Sequence, residues 1–421
     1  METRAHASGP TLDLSSESTG AHACPVGGAP ALEALARALR ASASITALNV
    51  AGNEIGADGA AVLSAALRRE PGGHGLALKR LDVSCNRVGG PGAAAICAAA
   101  ALLEELRLSS NGIGDAGAAA VAAALNASGT LRVVCAADNG ITGVGAAELA
   151  RSLGGAKALT HLDVGFNAFG DAGAAALAAS LGASALRELN LEHSQIREAG
   201  VCAVGDAMAH STTVAWLSLD GATVTDAAAA AIAQALCRNA TLKTLYLCSA
   251  RIGPEAAIVL GAGLAQNQTL EELSLAHNLI GDRGAEYIAA LLPATGLYRL
   301  SLSGNSLGPA GMCALLQATL RTKIVELTLS NNALGDDGAA ALAGYFASGH
   351  GGIDLCDTGI GERGLEVIAD AVERGGHAFH YLLLHGNCGL VAGGDWGAAY
   401  PADDPRPAVK AAWRVSLALA Q

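Results

Sequence analysis

The sequence predicts an α/β solenoid in which short parallel strands alternate with helices over about 13 tandem units. Three observations predict it. The first is self-similarity: LDVSCNRVGGPGAAAICAAAA from Leu81 and LRLSSNGIGDAGAAAVAAAL from Leu106 share a frame that returns at Leu162, Leu273, Leu300 and Leu327. The second is a change of period within each unit, from the alternation of a strand to the alanine-rich run of a helix. The third is composition. At 421 residues the chain exceeds an ordinary domain, yet 51% of it is apolar and only 3% aromatic. A core built from such small side chains suits thin stacked layers better than one large globule.

Aligned on the position that follows the strand, the anchors are Asn53, Asn86, Asn111, Asn139, Asn167, Ser194, Ala222, Ala250, Asn278, Asn305, Asn332, Thr358 and Asn387. Most are 26 to 29 residues apart, with one spacing of 33 after Asn53 and one of 25 after Asn86. In each L-x-L both leucines point inward, as a period of two requires. An asparagine where the chain leaves the strand can bond a backbone N–H and a backbone C=O at once, so stacked units form a ladder. Gly56, Gly114, Gly170 and Gly281 suit a turn with unusual backbone angles. Asp58, Asp115, Asp171, Asp226 and Asp282 precede the alanine runs and read as helix N-caps.

The pattern L-x-x-L-x-L-x-x-N-x-I-G-x-x-G-A-x-x-L resembles the ribonuclease-inhibitor type of leucine-rich repeat, which also occurs in the sensor ends of NOD-like receptors and in Ran GTPase-activating proteins. The resemblance covers roughly residues 30 to 390. It implies a horseshoe with parallel strands on the concave face and helices outside. It implies no single function, because one scaffold hosts many.

Three segments follow: residues 1–28, mixed and rich in Gly, Ser and Pro, as a disordered N-terminal segment; 29–391 as the repeat domain, opened by a cap helix over Ala31 to Arg40; and 392–421 as an inserted loop and a capping helix with Trp413 on its apolar face. The net charge of −12 disfavours nucleic acid and anionic membrane as partners. The longest apolar run, Ala93 to Leu103, is too short to span a bilayer, and METRAHASGP lacks the apolar core of a signal peptide. The cysteines form no CxxC pair, and Cys97, Cys202, Cys237 and Cys313 fall at buried repeat positions, which suits reduced thiols in a cytoplasmic protein.

Several motifs imitate chemistry. GIGDAG at Gly112 to Gly117 and GIGERG at Gly359 to Gly364 match a dinucleotide fingerprint, but the repeat itself generates them. His377, His380, His385 and Cys388 are zinc-ligand types, yet His380 and His385 lie five apart on one strand and face opposite ways. The recurring aspartates are spread one per unit rather than converging. No catalytic constellation, cofactor site or metal site is expected, and the chain reads as a non-enzyme.

A partner would meet the side chains beside the buried leucines. Their central column runs Asn49, Asp82, Arg107, Cys135, Asp163, Asn190, Ser218, Tyr246, Ser274, Ser301, Thr328, Asp354, Leu383. Asp163, Glu188, Glu192, Trp216, Asp220 and Tyr246 collect on neighbouring strands as the candidate partner-binding set. Aromatics on an exposed scaffold face anchor partners, and surrounding carboxylates select a basic surface. The expected function is therefore protein recognition or scaffolding by a monomer. Regulation of an enzyme, GTPase-activating or ribonuclease-inhibitor-like, and a structural place in a large assembly such as a cilium are the alternatives.

Overall fold

The computed structural model describes residues 10–16, 28–42, 44–68, 77–347, 352–375 and 381–387. The chain divides into two compact units, Met1–Ser218 and Leu219–Gln421. In the first, β1 (Thr11–Asp13), β2 (Ala47–Asn49), β3 (Arg80–Asp82), β4 (Glu105–Arg107), β5 (Val133–Cys135), β6 (His161–Asp163), β7 (Glu188–Asn190) and β8 (Trp216–Ser218) pair in parallel, each with the next in sequence. Between them run α1 (Ala29–Ala41), α2 (Gly56–Leu67), α3 (Gly89–Cys97), α4 (Gly114–Ala127), α5 (Gly143–Leu153), α6 (Gly170–Ser180) and α7 (Glu198–Met208). The second unit repeats the scheme with β9 (Thr244–Tyr246), β10 (Glu272–Ser274), β11 (Arg299–Ser301), β12 (Glu326–Thr328), β13 (Gly352–Asp354) and β14 (Tyr381–Leu383). Its helices are α8 (Asp226–Arg238), α9 (Pro254–Leu264), α10 (Gly281–Leu291), α11 (Pro309–Thr319), α12 (Gly335–Ala339), α13 (Leu342–Ala347) and α14 (Glu362–Gly375). The fold is the α/β solenoid that the repeat predicts.

The register explains why the repeat is spelled as it is. The middle residues of neighbouring strands, such as Leu106, Val134, Leu162 and Leu189, lie opposite one another and are at most 1% exposed. The strand's first and third residues face away from the helices. Small residues let helix and sheet, and helix and helix, approach closely. A Cβ on Gly92 of α3 would stand 3.0 Å from the Ala60 Cβ of α2.

The asparagine ladder has the predicted form. Asn86 Oδ1 accepts the N–H groups of Asn53 at 2.9 Å and Ile55 at 3.2 Å, while its Nδ2 donates to Val50 O and Val83 O at 2.9 Å each. One side chain thus satisfies backbone groups in its own repeat and in the one before. Ser194 keeps only the donor half, giving its hydroxyl to Glu192 O at 3.0 Å. The Ala222 N–H turns back to Leu219 O at 3.0 Å instead.

Three expectations are corrected. Thr11–Asp13, inside the segment read as disordered, is a strand paired in register with Ala47–Asn49, which makes 14 strands among the described residues against about 13 expected. T-L-D-L-S-S carries the strand half of the repeat without its asparagine, so an alignment anchored on that residue passes over it. Second, Cys202 and Cys313 are half-buried and Cys237 is exposed; only Cys97 of the four is buried. Cys237 follows the buried Leu236 by one residue on α8, about 100° round the helix and off its packed face.

Third, the aspartates do not cap their own helices. Gly56, Gly114, Gly170 and Gly281, with φ of 65°, 59°, 56° and 61°, are already the first helical residues, so the next aspartate falls inside the first turn. From there the carboxylate reaches the following helix. Asp115 accepts the N–H groups of Thr142 at 2.8 Å and Gly145 at 3.0 Å and the Thr142 hydroxyl at 2.7 Å, all at the N-terminus of α5. Asp171 does the same for Arg197 and Gly200, Asp282 for Gly308 and Gly311, and Asp336 for Gly361 and Gly364. The aspartate is a cap shared between repeats. Asp226 instead follows Thr225, whose hydroxyl caps α8 at Ala228.

Partial burial alone would push the Asp115 carboxyl up, but the hydroxyl and N–H groups of Thr142 and the Gly145 N–H together hold it below its ordinary value. Its contribution is therefore complete above the ordinary carboxylate range and is lost as pH falls through the folded-state value. Asp115→Ala should cost about 1 kcal/mol at neutral pH. In thermal melts across pH the gap between variant and wild type should narrow on acidification; a constant gap would remove the carboxylate from the account.

Candidate protein-binding site

The strand face of the first unit presents three columns, set by register. Arg80, Glu105, Val133, His161, Glu188 and Trp216 form the first; Asp82, Arg107, Cys135, Asp163, Asn190 and Ser218 form the central one. The third, two residues past the centre, contains Gly165 and Glu192. Trp216 lies directly opposite Glu188, which lies directly opposite His161. Glu188 Oε1 takes the His161 Nε2 at 2.8 Å, and the other ring nitrogen meets the Thr160 hydroxyl at 2.7 Å.

Asp163 is tied to the backbone, and Glu192 to a neighbouring side chain. Asp163 Oδ1 accepts the Gly165 N–H at 3.1 Å, a local turn that Asp13, Asn49, Asp82, Asn190 and Asp354 make in their own repeats. Glu192 Oε1 accepts Asn190 Nδ2 at 2.9 Å. Burial first, and then the Glu192 charge, raise the Asp163 carboxyl above its ordinary value against the Gly165 N–H and Arg107. The Glu192 carboxylate acting on Asp163 makes this part of the face favourable to a cation.

Asp220 and Tyr246 belong to the second unit. Asp220 Oδ1 accepts the Cys248 N–H at 2.6 Å, and the Tyr246 hydroxyl donates to Glu272 Oε1 at 2.6 Å. Thus the structure brings Asp163, Glu188, Glu192 and Trp216 onto one face of the first unit and sets Asp220 and Tyr246 on the strand side of the second.

Sequence reasoning passed over a charged row in the second unit. Arg299 Nε donates to Glu326 at 2.7 Å, and its guanidinium stands 3.7 Å from Glu272 and 5.9 Å from the centre of the Tyr298 ring. The three charged residues open three consecutive strands, so reading that column in order would have found the alternation. It also passed over Phe166 and His193, whose rings stack in consecutive loops of the first unit.

The imitative motifs resolve into the fold. At GIGERG the N–H groups of Gly361 and Gly364 are held by the Asp336 carboxylate at 2.6 and 2.9 Å, where a phosphate would have to sit. At GIGDAG the Gly114 N–H goes to Asn139 O at 3.0 Å. His377, His380 and Cys388 lie outside the described residues, as do Trp413 and the rest of 392–421. His385 Nδ1 meets Cys356 Sγ at 3.1 Å, and among the described residues no group of three or more His, Cys, Asp or Glu is placed to hold a metal. Burial pushes the Cys356 thiol up to about 12, with the Asp354 carboxylate adding to it, which removes it as a thiolate nucleophile at neutral pH. Each described cysteine is free, and among the described residues no helix is long and apolar enough to cross a membrane.

The family that the repeats match agrees with this architecture. Residues 41–64, 78–97, 100–122, 157–178, 266–289 and 322–343 match the family model described as Leucine Rich repeat. The chain is a leucine-rich repeat solenoid. It is similar in structure to an internalin (inlF) from Listeria monocytogenes, with TM-score 0.48, 17% identity and coverage of 83% of this chain and 92% of that one. It is also similar to a chain of the Rad7 and Elc1 complex in yeast, with TM-score 0.49, 15% identity and coverage of 80% and 86%. No curated protein matches the sequence.

Proposed function

We propose that the protein is a non-catalytic recognition or scaffold protein whose strand face docks a protein partner through a basic surface. The observation that carries this reading is the direct register of Trp216 with Glu188, on the same face as Asp163 and Glu192. An aromatic ring beside carboxylates attracts Lys and Arg, and the field steers their approach. Asp220 and Tyr246 complete the proposed set with the same chemistry. Leucine-rich repeat folds serve protein–protein interaction, which fits this assignment. A helix in nearly every repeat and the N-x-I-G-x-x-G-A spelling support the ribonuclease-inhibitor type. The net charge of −12 supports a monomer that binds neither nucleic acid nor an anionic membrane, and the free thiols of the described cysteines support a place in the cytoplasm.

The test begins with a partner recovered from native cytosol. Trp216→Ala should weaken its binding by roughly 2 kcal/mol, mostly through faster dissociation, while the melting temperature stays put. Ser301→Ala, on the strand face of the second unit, should leave affinity unchanged. Equal affinity of the two folded variants would place the docking surface elsewhere.

A further inference from the structure

In each repeat the residue just before the anchor adopts a left-handed backbone. Within the first unit that position is filled by Gly52, Cys85, Ser110, Asp138, Phe166 and His193, with φ between 49° and 73°. Glycine and short polar residues suit this conformation, and a bulky aromatic is out of place there. The chain has only four phenylalanines, yet Phe166 is 52% exposed. Its ring stacks on His193 with centroids 4.8 Å apart and planes inclined by 26°. The core does not explain this ring.

Its surroundings are acidic. Asp138 holds the same loop position one repeat earlier and is joined to this loop by its N–H on Gly165 O at 3.0 Å. The Phe166 N–H donates to Glu192 O at 2.7 Å. The Glu192 side chain lies across Gly165, since a Cβ there would fall 2.8 Å from its Cγ. Asp163 accepts the Gly165 N–H from the strand side. The loops that carry the stacked pair thus also carry, or adjoin through Gly165, three acidic residues, Asp138, Asp163 and Glu192. An apolar partner residue would have to strip water from those charges without replacing it. A guanidinium would not: it is planar, weakly hydrated, able to stack on a ring face and able to pair with carboxylates through its edge.

We propose that Phe166, stacked on His193, is the docking platform for an arginine side chain of the protein partner, with Asp138 and Glu192 pairing its guanidinium. This rests on the first unit's strand face being the docking face, and adds to it the loop edge and the identity of the cation. The probe is a fluorescein-labelled Arg-Ser nonapeptide with arginine at alternate positions, titrated into the full chain and followed by anisotropy. A citrulline peptide of the same sequence, alike in shape but neutral, is the comparison. Phe166→Ser uses the residue the chain itself places at Ser110, so its melting temperature should match wild type. The arginine peptide should bind wild type at least tenfold tighter than the citrulline peptide. Phe166→Ser should lose about tenfold in affinity for it and Asp138→Asn about threefold. Loss with Phe166→Ser and none with Trp216→Ala supports the platform and removes Trp216 from the docking face. Loss with Trp216→Ala and none with Phe166→Ser overturns the platform and leaves the docking face standing. Equal binding of the two peptides overturns the arginine assignment.

Discussion

Asn111→Ala should be among the most destabilising single changes in the first unit, costing about 4 kcal/mol and acting through backbone groups far apart in sequence. Asn111 is 3% exposed. Its Oδ1 accepts the N–H groups of Asn86 at 3.0 Å and Val88 at 3.2 Å, and its Nδ2 donates to Val83 O and Leu108 O at 2.9 Å each. Alanine leaves the N–H groups of Asn86 and Val88 in the core without their acceptor, while Val83 O and Leu108 O keep the side-chain amides of Asn86 at 2.9 Å and Asn139 at 3.0 Å. Each orphaned N–H carries a desolvation penalty of about 1 to 3 kcal/mol. Two such groups at about 2 kcal/mol each give the expected total. Because a repeat touches only its neighbours, the loss should appear as a separate, earlier melting step, with faster amide exchange at Asn86 and Val88. Asn111→Asp sharpens the test. It keeps the acceptor but turns the donor edge into an oxygen facing three carbonyls, including Ser109 O at 3.2 Å. Protonation restores one donor, so this variant should recover stability relative to wild type as pH falls. A single unshifted transition for Asn111→Ala would mean that the ladder does not hold these repeats together.

The parts of the fold that were legible in the sequence are those in which one residue type has one job in every repeat. The buried leucines, the asparagine and the glycines at positive φ each solve a problem posed by the local backbone, so a pattern of types suffices to find them. The shared aspartate cap was not legible in this way. Asp115 stands where a local cap belongs, and only the stacking distance between α4 and α5 shows that its carboxylate serves the neighbour. β1 was missed for the converse reason: its leucines fit the frame, but the residue used to find the frame is absent. For the candidate site the sequence found the columns but not the pairings. The contacts of Glu188 with His161 and of Tyr246 with Glu272 join residues 27 and 26 apart, and depend on register. Phe166 was overlooked because its column lies off the strand, on the turn, where side chains are usually short and carry little pattern.

The second large effect concerns how closely neighbouring helices pack in the second unit. Gly263, near the end of α9, faces Ala233 of α8: a Cβ at Gly263 would lie 2.5 Å from the Ala233 Cα, 2.6 Å from its carbonyl oxygen and 2.7 Å from its Cβ. Two of those three atoms are backbone, so no rotamer change relieves the contact and the helices must separate. On an isolated helix, replacing glycine by a residue with a side chain is favourable, by up to about 1 kcal/mol. Here the packing term opposes it and wins. Gly263→Val should destabilise the unit by about 3 kcal/mol, at the upper end for overpacking because the obstacle is main chain rather than a flexible tip. The change should also loosen the helix surface around Cys237, whose thiol lies 4.0 Å from Gly263 O, so alkylation of Cys237 should quicken. Gly182→Ala supplies the contrast, since a Cβ there meets nothing within 4 Å. That variant should melt at or slightly above the wild-type temperature. If Gly263→Val melted there as well, close helix approach would not be what fixes glycine at that position.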